Sequence, residues 1–105
     1  MKNWDNKTTK DLFGVILKLK NIGETKKFFR DLLTEEEIIE FGKRWKAAQM
    51  LDCKISYTNI SKATGLSSRT VARISKWLNP GMGGYKKMIN ELHHHGNNTF
   101  EKGLS

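Results

Sequence analysis

Apolar residues recur at intervals of three and four along most of the chain, which predicts helices and no strands. Leu12, Val15, Ile16 and Leu19 form the first row, with Thr8 or Thr9 as the capping residue and Asp11 in the first turn, where the helix dipole favours an acid. Asn21-Ile22-Gly23 interrupts this row, Gly23 supplying the turn, and a second helix runs from Glu24 to Leu33 with Phe28, Phe29, Leu32 and Leu33 on one face. Two short helices this apolar cannot cover each other, so they must pack on a third helix or on another subunit. Thr34-Glu35-Glu36-Glu37 then has the pattern of a capping box, the Thr34 hydroxyl taking a first-turn amide while Glu37 reaches back. It opens a central helix to about residue 54, with Ile38, Phe41, Trp45, Ala48 and Leu51 as its buried stripe and Lys43, Arg44 and Lys46 toward the polar side. Gly42 weakens that helix by ~1 kcal/mol relative to Ala, which points to close approach of another helix there.

From Ile55 to Pro80 the pattern changes to two short helices. Ser56 caps the first, which runs through Ala63 with Ile60 and Ala63 inward. Thr64-Gly65-Leu66 makes the turn, Gly65 being free to take the left-handed conformation. Ser67 caps the second, Ser68 to Leu78, whose Val71, Ile74 and Leu78 face inward while Ser68, Arg69, Ala72, Arg73 and Lys76 face out. Asn79-Pro80-Gly81 ends it, Gly81 to Gly84 form a flexible link, and Tyr85 to His93 make a last helix with Met88, Ile89 and Leu92 inward. The expectation is an all-α chain forming one helical domain over residues 1–105. Its parts are dimerisation helices to about residue 33, a central helix at 34–54, a helix-turn-helix at 56–79, a C-terminal helix at 85–93 and a disordered tail at 94–105.

Composition narrows the partners. The 105 residues are 37% hydrophobic with one proline, which is a folding composition, and the formal net charge is +8. Position matters more than the sum: Ser56 to Lys87 carries six Lys/Arg, and no carboxylate occurs between Asp52 and Glu91. A helical segment without acids leaves its positive field unopposed, as phosphate binding requires. No stretch approaches the ~18 apolar residues that span a bilayer, and the start, MKNWDNKTTKD, lacks the apolar run of a secretory leader, so a cytoplasmic protein is expected. Cys53 is the single cysteine, so neither an internal disulfide nor a cysteine metal cluster can form within one chain. No metal site is expected either, because His93, His94 and His95, adjacent on a helix, point about 100° apart.

These features predict a helix-turn-helix that reads double-stranded DNA. Side chains near the start of the second helix, Ser67, Ser68, Arg69 and Thr70, would reach base edges, with Ala72 and Arg73 further along. Arg69 suits guanine, whose two major-groove acceptors match the planar fork of an arginine. Tyr57, Thr58, Ser61, Lys62 and Lys76 would meet phosphates. Ser61 is also the small residue where the two helices touch. Trp4, Trp45 and Trp77 suit core or interface packing better than base stacking. No paired carboxylates, Gly-rich phosphate loop or nucleophile arrangement suggests an enzyme. The competing classes are a helical protein-interaction module and an RNA-binding or transposase-type adaptor.

The run LTEEEIIEFGKRW, followed by ISYTNISKATGLSSRTVARI, resembles the Trp repressor superfamily and in particular its YerC/YecD branch. The likeness is close over about Leu33 to Pro80. It rests on the Leu33-Thr34-x-x-Glu37 opening, Gly42 followed two places on by Arg44, and Thr70-x-x-Arg73. The resemblance implies an intertwined homodimer of six-helix subunits, acting as a transcriptional regulator of repressor type, its recognition helices ~34 Å apart on a palindromic site. It also implies an effector site. In Trp repressor the tryptophan is held by two threonines and two arginines, which match Thr34, Thr70, Arg44 and Arg73. Ile74, however, stands where that family has a Gly that leaves room for the ligand, and Trp77 where it has a Ser. The bulky pair would fill the cavity, so the expectation is no cofactor, with Arg44 a surface or helix-pairing residue; tryptophan or another small corepressor is the alternative.

Overall fold

Six α-helices make up the described residues, 3–95, of the computed structural model. They are α1 (Lys7–Ile16), α2 (Ile22–Leu32), α3 (Glu35–Asp52), α4 (Tyr57–Thr64), α5 (Ser68–Leu78) and α6 (Gly84–His95), and no strand occurs among these residues. The chain divides into two compact units, residues 1–38 and 39–105.

In the first unit the helix starts are set by asparagines. Asn6 caps α1: its side chain accepts from the Thr9 amide at 3.0 Å, and the Thr9 hydroxyl accepts from the Asn6 amide at 3.0 Å. The cap expected at Thr8 or Thr9 therefore lies earlier, and Asp11 falls beyond the first turn. Leu19 is outside the helix, which ends at Ile16 and closes through Leu17 and Lys18 in short-range backbone bonds. Asn21 likewise caps α2, accepting from the Glu24 amide at 2.9 Å, so Gly23 is a residue of the helix and not a turn. Thr34 and Glu37 form the expected capping box, the Thr34 amide donating to Glu37 at 2.9 Å and the Glu37 amide donating to Thr34 at 3.1 Å. Neither α1 nor α2 buries a residue.

The second unit holds the core. Ala47, Ala48, Ile60, Val71 and Ile74 are fully buried, joined by Leu66, Leu78 and Ile89. The paired alanines keep the surface of α3 low there, and α5 packs against both α4 and α6. Several inward assignments change. Phe41 is 48% exposed under the Arg44 guanidinium, Ala63 is exposed and Thr64 takes its place, and of the α6 trio only Ile89 enters the core. Ile60 and Thr64, one turn apart, define the buried stripe of α4, and Ala63 lies about 100° away from Thr64. A side chain built at Gly42 would meet nothing within 4 Å, so the close approach expected there does not occur among the described residues.

Two connections fix the ends of α3 and α5. Lys54 takes a left-handed conformation (φ 65) as α3 closes, the Ile55 amide reaching back to the Met50 carbonyl at 3.1 Å. That is a Schellman closure with lysine where glycine is usual. After α5 the chain folds back so tightly that a Cβ on Gly81 would collide with the Trp77 carbonyl. Because the clash is with backbone, Gly81→Ala must displace the loop, and it is expected to lower stability by about 1–3 kcal/mol in urea unfolding.

Candidate nucleic-acid interface

The helix-turn-helix is built from α4, a three-residue turn and α5. Ser56 caps α4, accepting from the Asn59 amide at 3.1 Å, and Gly65 ends it with φ 81, the left-handed conformation a β-carbon would resist. Ser67 caps α5, accepting from the Thr70 amide at 3.2 Å. Both caps and the bounds of α5 agree with the expectation from sequence, as does the inward stripe of Val71, Ile74 and Leu78.

The outward face of α5 presents Ser68, Arg69, Ala72, Arg73 and Lys76, all exposed, and α4 adds exposed Tyr57, Thr58 and Lys62. Among the described residues, Lys62, Arg69, Arg73 and Lys76 make no ion pair, whereas Lys7–Asp11, Arg30–Glu35, Glu40–Arg44, Asp52–Lys86 and Lys87–Glu91 are paired elsewhere. The two helices of the motif thus present exposed positive charge that no carboxylate pairs among the described residues.

Two of the named residues are placed differently from the rest. The Ser61 hydroxyl is buried and without a hydrogen-bond partner, so it is not offered to a phosphate as the exposed residues of this face are. Thr70 is half-buried, and its hydroxyl is held by Ser67 at 3.1 Å. The residue that sequence reasoning missed is Thr64, whose role in the turn is taken up below. The signal was a threonine immediately before a left-handed glycine, which can bond to its own helix and to the turn.

Of the expected effector anchors, Thr34 lies in the first unit and Arg44, Thr70 and Arg73 in the second. Thr34 is engaged as the cap of α3 in the first unit. Arg44 is half-exposed, paired with Glu40 of its own helix at 3.4 Å, and lies over the Phe41 ring at 5.7 Å. Among the described residues no hydrogen bond joins Arg44 to Thr70 or Arg73. Ile74 is buried in the core, but Trp77 does not fill a cavity: it is 45% exposed and forms one wall of an open apolar trough of about 610 Å³ with Trp45, Met82, Tyr85 and Met88. Tyr85 stacks on Trp45 with centroids 6.4 Å apart. Its hydroxyl is pushed above the usual tyrosine range by burial, with the charge of Arg44 opposing.

The sequence profile of the Trp repressor protein family matches residues 7–93, from the start of α1 almost to the end of α6. The chain belongs to the Trp repressor family. It is 36% identical over 81 residues to the uncharacterised protein YerC of Bacillus subtilis (strain 168), a match covering 77% of this chain and 78% of YerC. Its structure is similar to a TrpR-like protein from Eubacterium eligens ATCC 27750, with a TM-score of 0.82 at 33% identity, covering 87% of this chain and 94% of that one. A candidate Trp repressor from Staphylococcus aureus matches at a TM-score of 0.81 and 27% identity, covering 89% and 96% of the two chains. The six-helix arrangement is therefore that of TrpR-like proteins. No helix among the described residues is long and apolar enough to cross a membrane.

Proposed function

We propose that this chain is a sequence-specific regulator of transcription, of repressor type, that reads double-stranded DNA as a homodimer through α4 and α5. The observation that carries this reading is the face of α5, where Arg69, Arg73 and Lys76 are exposed and unpaired in a segment with no carboxylate. Small residues between them, Ser68 and Ala72, let the helix lie close to a groove floor. Enrichment of random duplex DNA on the purified chain, followed by binding at several salt concentrations, tests it. A recurring two-fold symmetric sequence and a steep loss of affinity with salt are expected. Equal binding to all duplexes, or preference for RNA or an acidic protein, would overturn it.

The homodimer is supported by the first unit, which leaves several of its large apolar residues exposed. Phe13 is 46% exposed, Leu17 86% and Ile22 74%, an excess of apolar surface that marks an interaction face. Leu17→Glu with Ile22→Glu changes residues that touch little within one chain, where surface substitutions stay within about ±0.5 kcal/mol. In a dimer sealed by these residues the double variant is instead expected to sediment as a monomer and to melt at lower temperature. A variant that sediments like the wild type would remove this face from the interface.

A further inference from the structure

The turn before the recognition helix is closed by a side chain as well as by glycine. Thr64 is 8% exposed, and its hydroxyl does two things at once: it donates to the Ile60 carbonyl at 2.7 Å and accepts from the Leu66 amide at 3.2 Å. The first bond is an ordinary return to the preceding helical turn. The second is not, because it reaches past Gly65 to the residue where the chain changes direction. Leu66 is itself buried at 6% and is followed by Ser67, the cap of α5.

Taken in order, the turn is a chain of bonds. The Gly65 amide donates to the Ser61 carbonyl at 2.8 Å, the Leu66 amide to the Thr64 hydroxyl, and the Thr70 amide to the Ser67 hydroxyl at 3.2 Å. Without the Thr64 oxygen, the middle amide of this series would be buried and unpaired, a state the backbone escapes by moving. Moving Leu66 moves the cap that follows it, and with it the entry of α5. Serine or threonine can supply this bridge; alanine and valine cannot.

Resting on the DNA-reading function proposed above, we infer that Thr64 is a positioning residue for base recognition: its hydroxyl sets the angle at which α5 leaves the turn. Thr64 does not lie on the exposed face, so it acts through Leu66 and Ser67 and not by touching DNA. Side chains that must align with base edges tolerate little displacement, whereas contacts to the uniform phosphate backbone tolerate more.

The test uses the full chain and two duplexes, one selected by the wild-type protein and one of scrambled sequence, at a temperature where circular dichroism shows each variant folded. Thr64→Val keeps the shape and removes the oxygen, Thr64→Ala removes it without placing a methyl against the amide, and Thr64→Ser restores it. In Val and Ala the ratio of selected to scrambled affinity is expected to fall about tenfold, with scrambled binding changed less than about twofold, and Ser is expected to return the ratio to near the wild-type value. A folded Val or Ala variant that keeps the wild-type ratio overturns the inference, even if it melts earlier, since a merely structural role moves the melting temperature alone. If neither folds, amide exchange in the wild-type protein decides: the Leu66 amide must exchange at least about 100-fold slower than an open-chain amide, and fast exchange overturns the clamp. Failure of the wild-type chain to select any duplex would instead defeat the DNA-reading function itself.

Discussion

Truncating Ile74 to alanine is expected to cost about 2–5 kcal/mol of folding stability, the largest loss of any single substitution considered for this chain. Ile74 is fully buried and sits in one cluster with Ala47, Ala48, Ile60, Val71 and Ile89. Most of the buried neighbours there are alanine or β-branched, with little side-chain freedom with which to close the gap. A domain of this size has about 5–15 kcal/mol in total, so the substitution removes a large part of it. Urea unfolding at one fixed protein concentration measures the effect, since a dimer's stability varies with concentration. Lys76→Ala, exposed on the same helix, serves as the control and should stay within about ±0.5 kcal/mol. A loss below about 1 kcal/mol for Ile74→Ala would show that α5 is not anchored by its inward stripe.

That stripe was legible in the sequence because one signal was unopposed. Val71, Ile74 and Leu78 stand at helical spacing between a serine cap and an Asn-Pro-Gly stop, and the helix occupies the interval those signals mark. The capping box at Thr34 and the left-handed turn at Gly65 were legible for the same reason: each depends on residues three or fewer apart. Family membership was legible as well, through Gly42-x-Arg44 and Thr70-x-x-Arg73. The misses arose where two local signals competed or where tertiary contact decided. Asn6 and Asn21 won as caps over the threonines and glycine beside them, since an Asn side chain serves an amide three residues on as well as Ser or Thr does. Phe41, Met88 and Leu92 follow the apolar period yet remain 48%, 54% and 39% exposed, because periodicity says which face a residue shares and not whether anything covers it. Burial of the Ser61 hydroxyl was illegible for a related reason. Its position on α4 lies between the outward and inward faces, and only the packing of α4 on α5 assigns it.

The candidate interface makes a prediction in which size matters less than pattern. Arg69→Ala is expected to weaken binding to the selected duplex by about 1–3 kcal/mol while leaving binding to random duplex nearly unchanged. Lys62→Ala should weaken both alike and lower the steepness of the salt dependence by about one phosphate contact. The contrast follows from where the two residues stand. Arg69 is in the first turn of α5, the end that would enter a groove first in the proposed docking, whereas Lys62 is in the last turn of α4, the helix that would cross the backbone. Both are exposed and free of ion pairs among the described residues, so neither substitution leaves a stranded partner inside the protein. Loss of affinity therefore measures the contact with DNA and not a refolded surface, and circular dichroism should show both variants as helical as the wild type. If Arg69→Ala lost selected and random duplex equally, Arg69 would be a phosphate contact and base reading would pass to Ser68, Ala72 and Arg73 on the same outward face of α5. Positions in the selected sequence that become degenerate with Arg69→Ala identify the base pair it reads, and two-fold symmetry requires that they appear in both halves of the site.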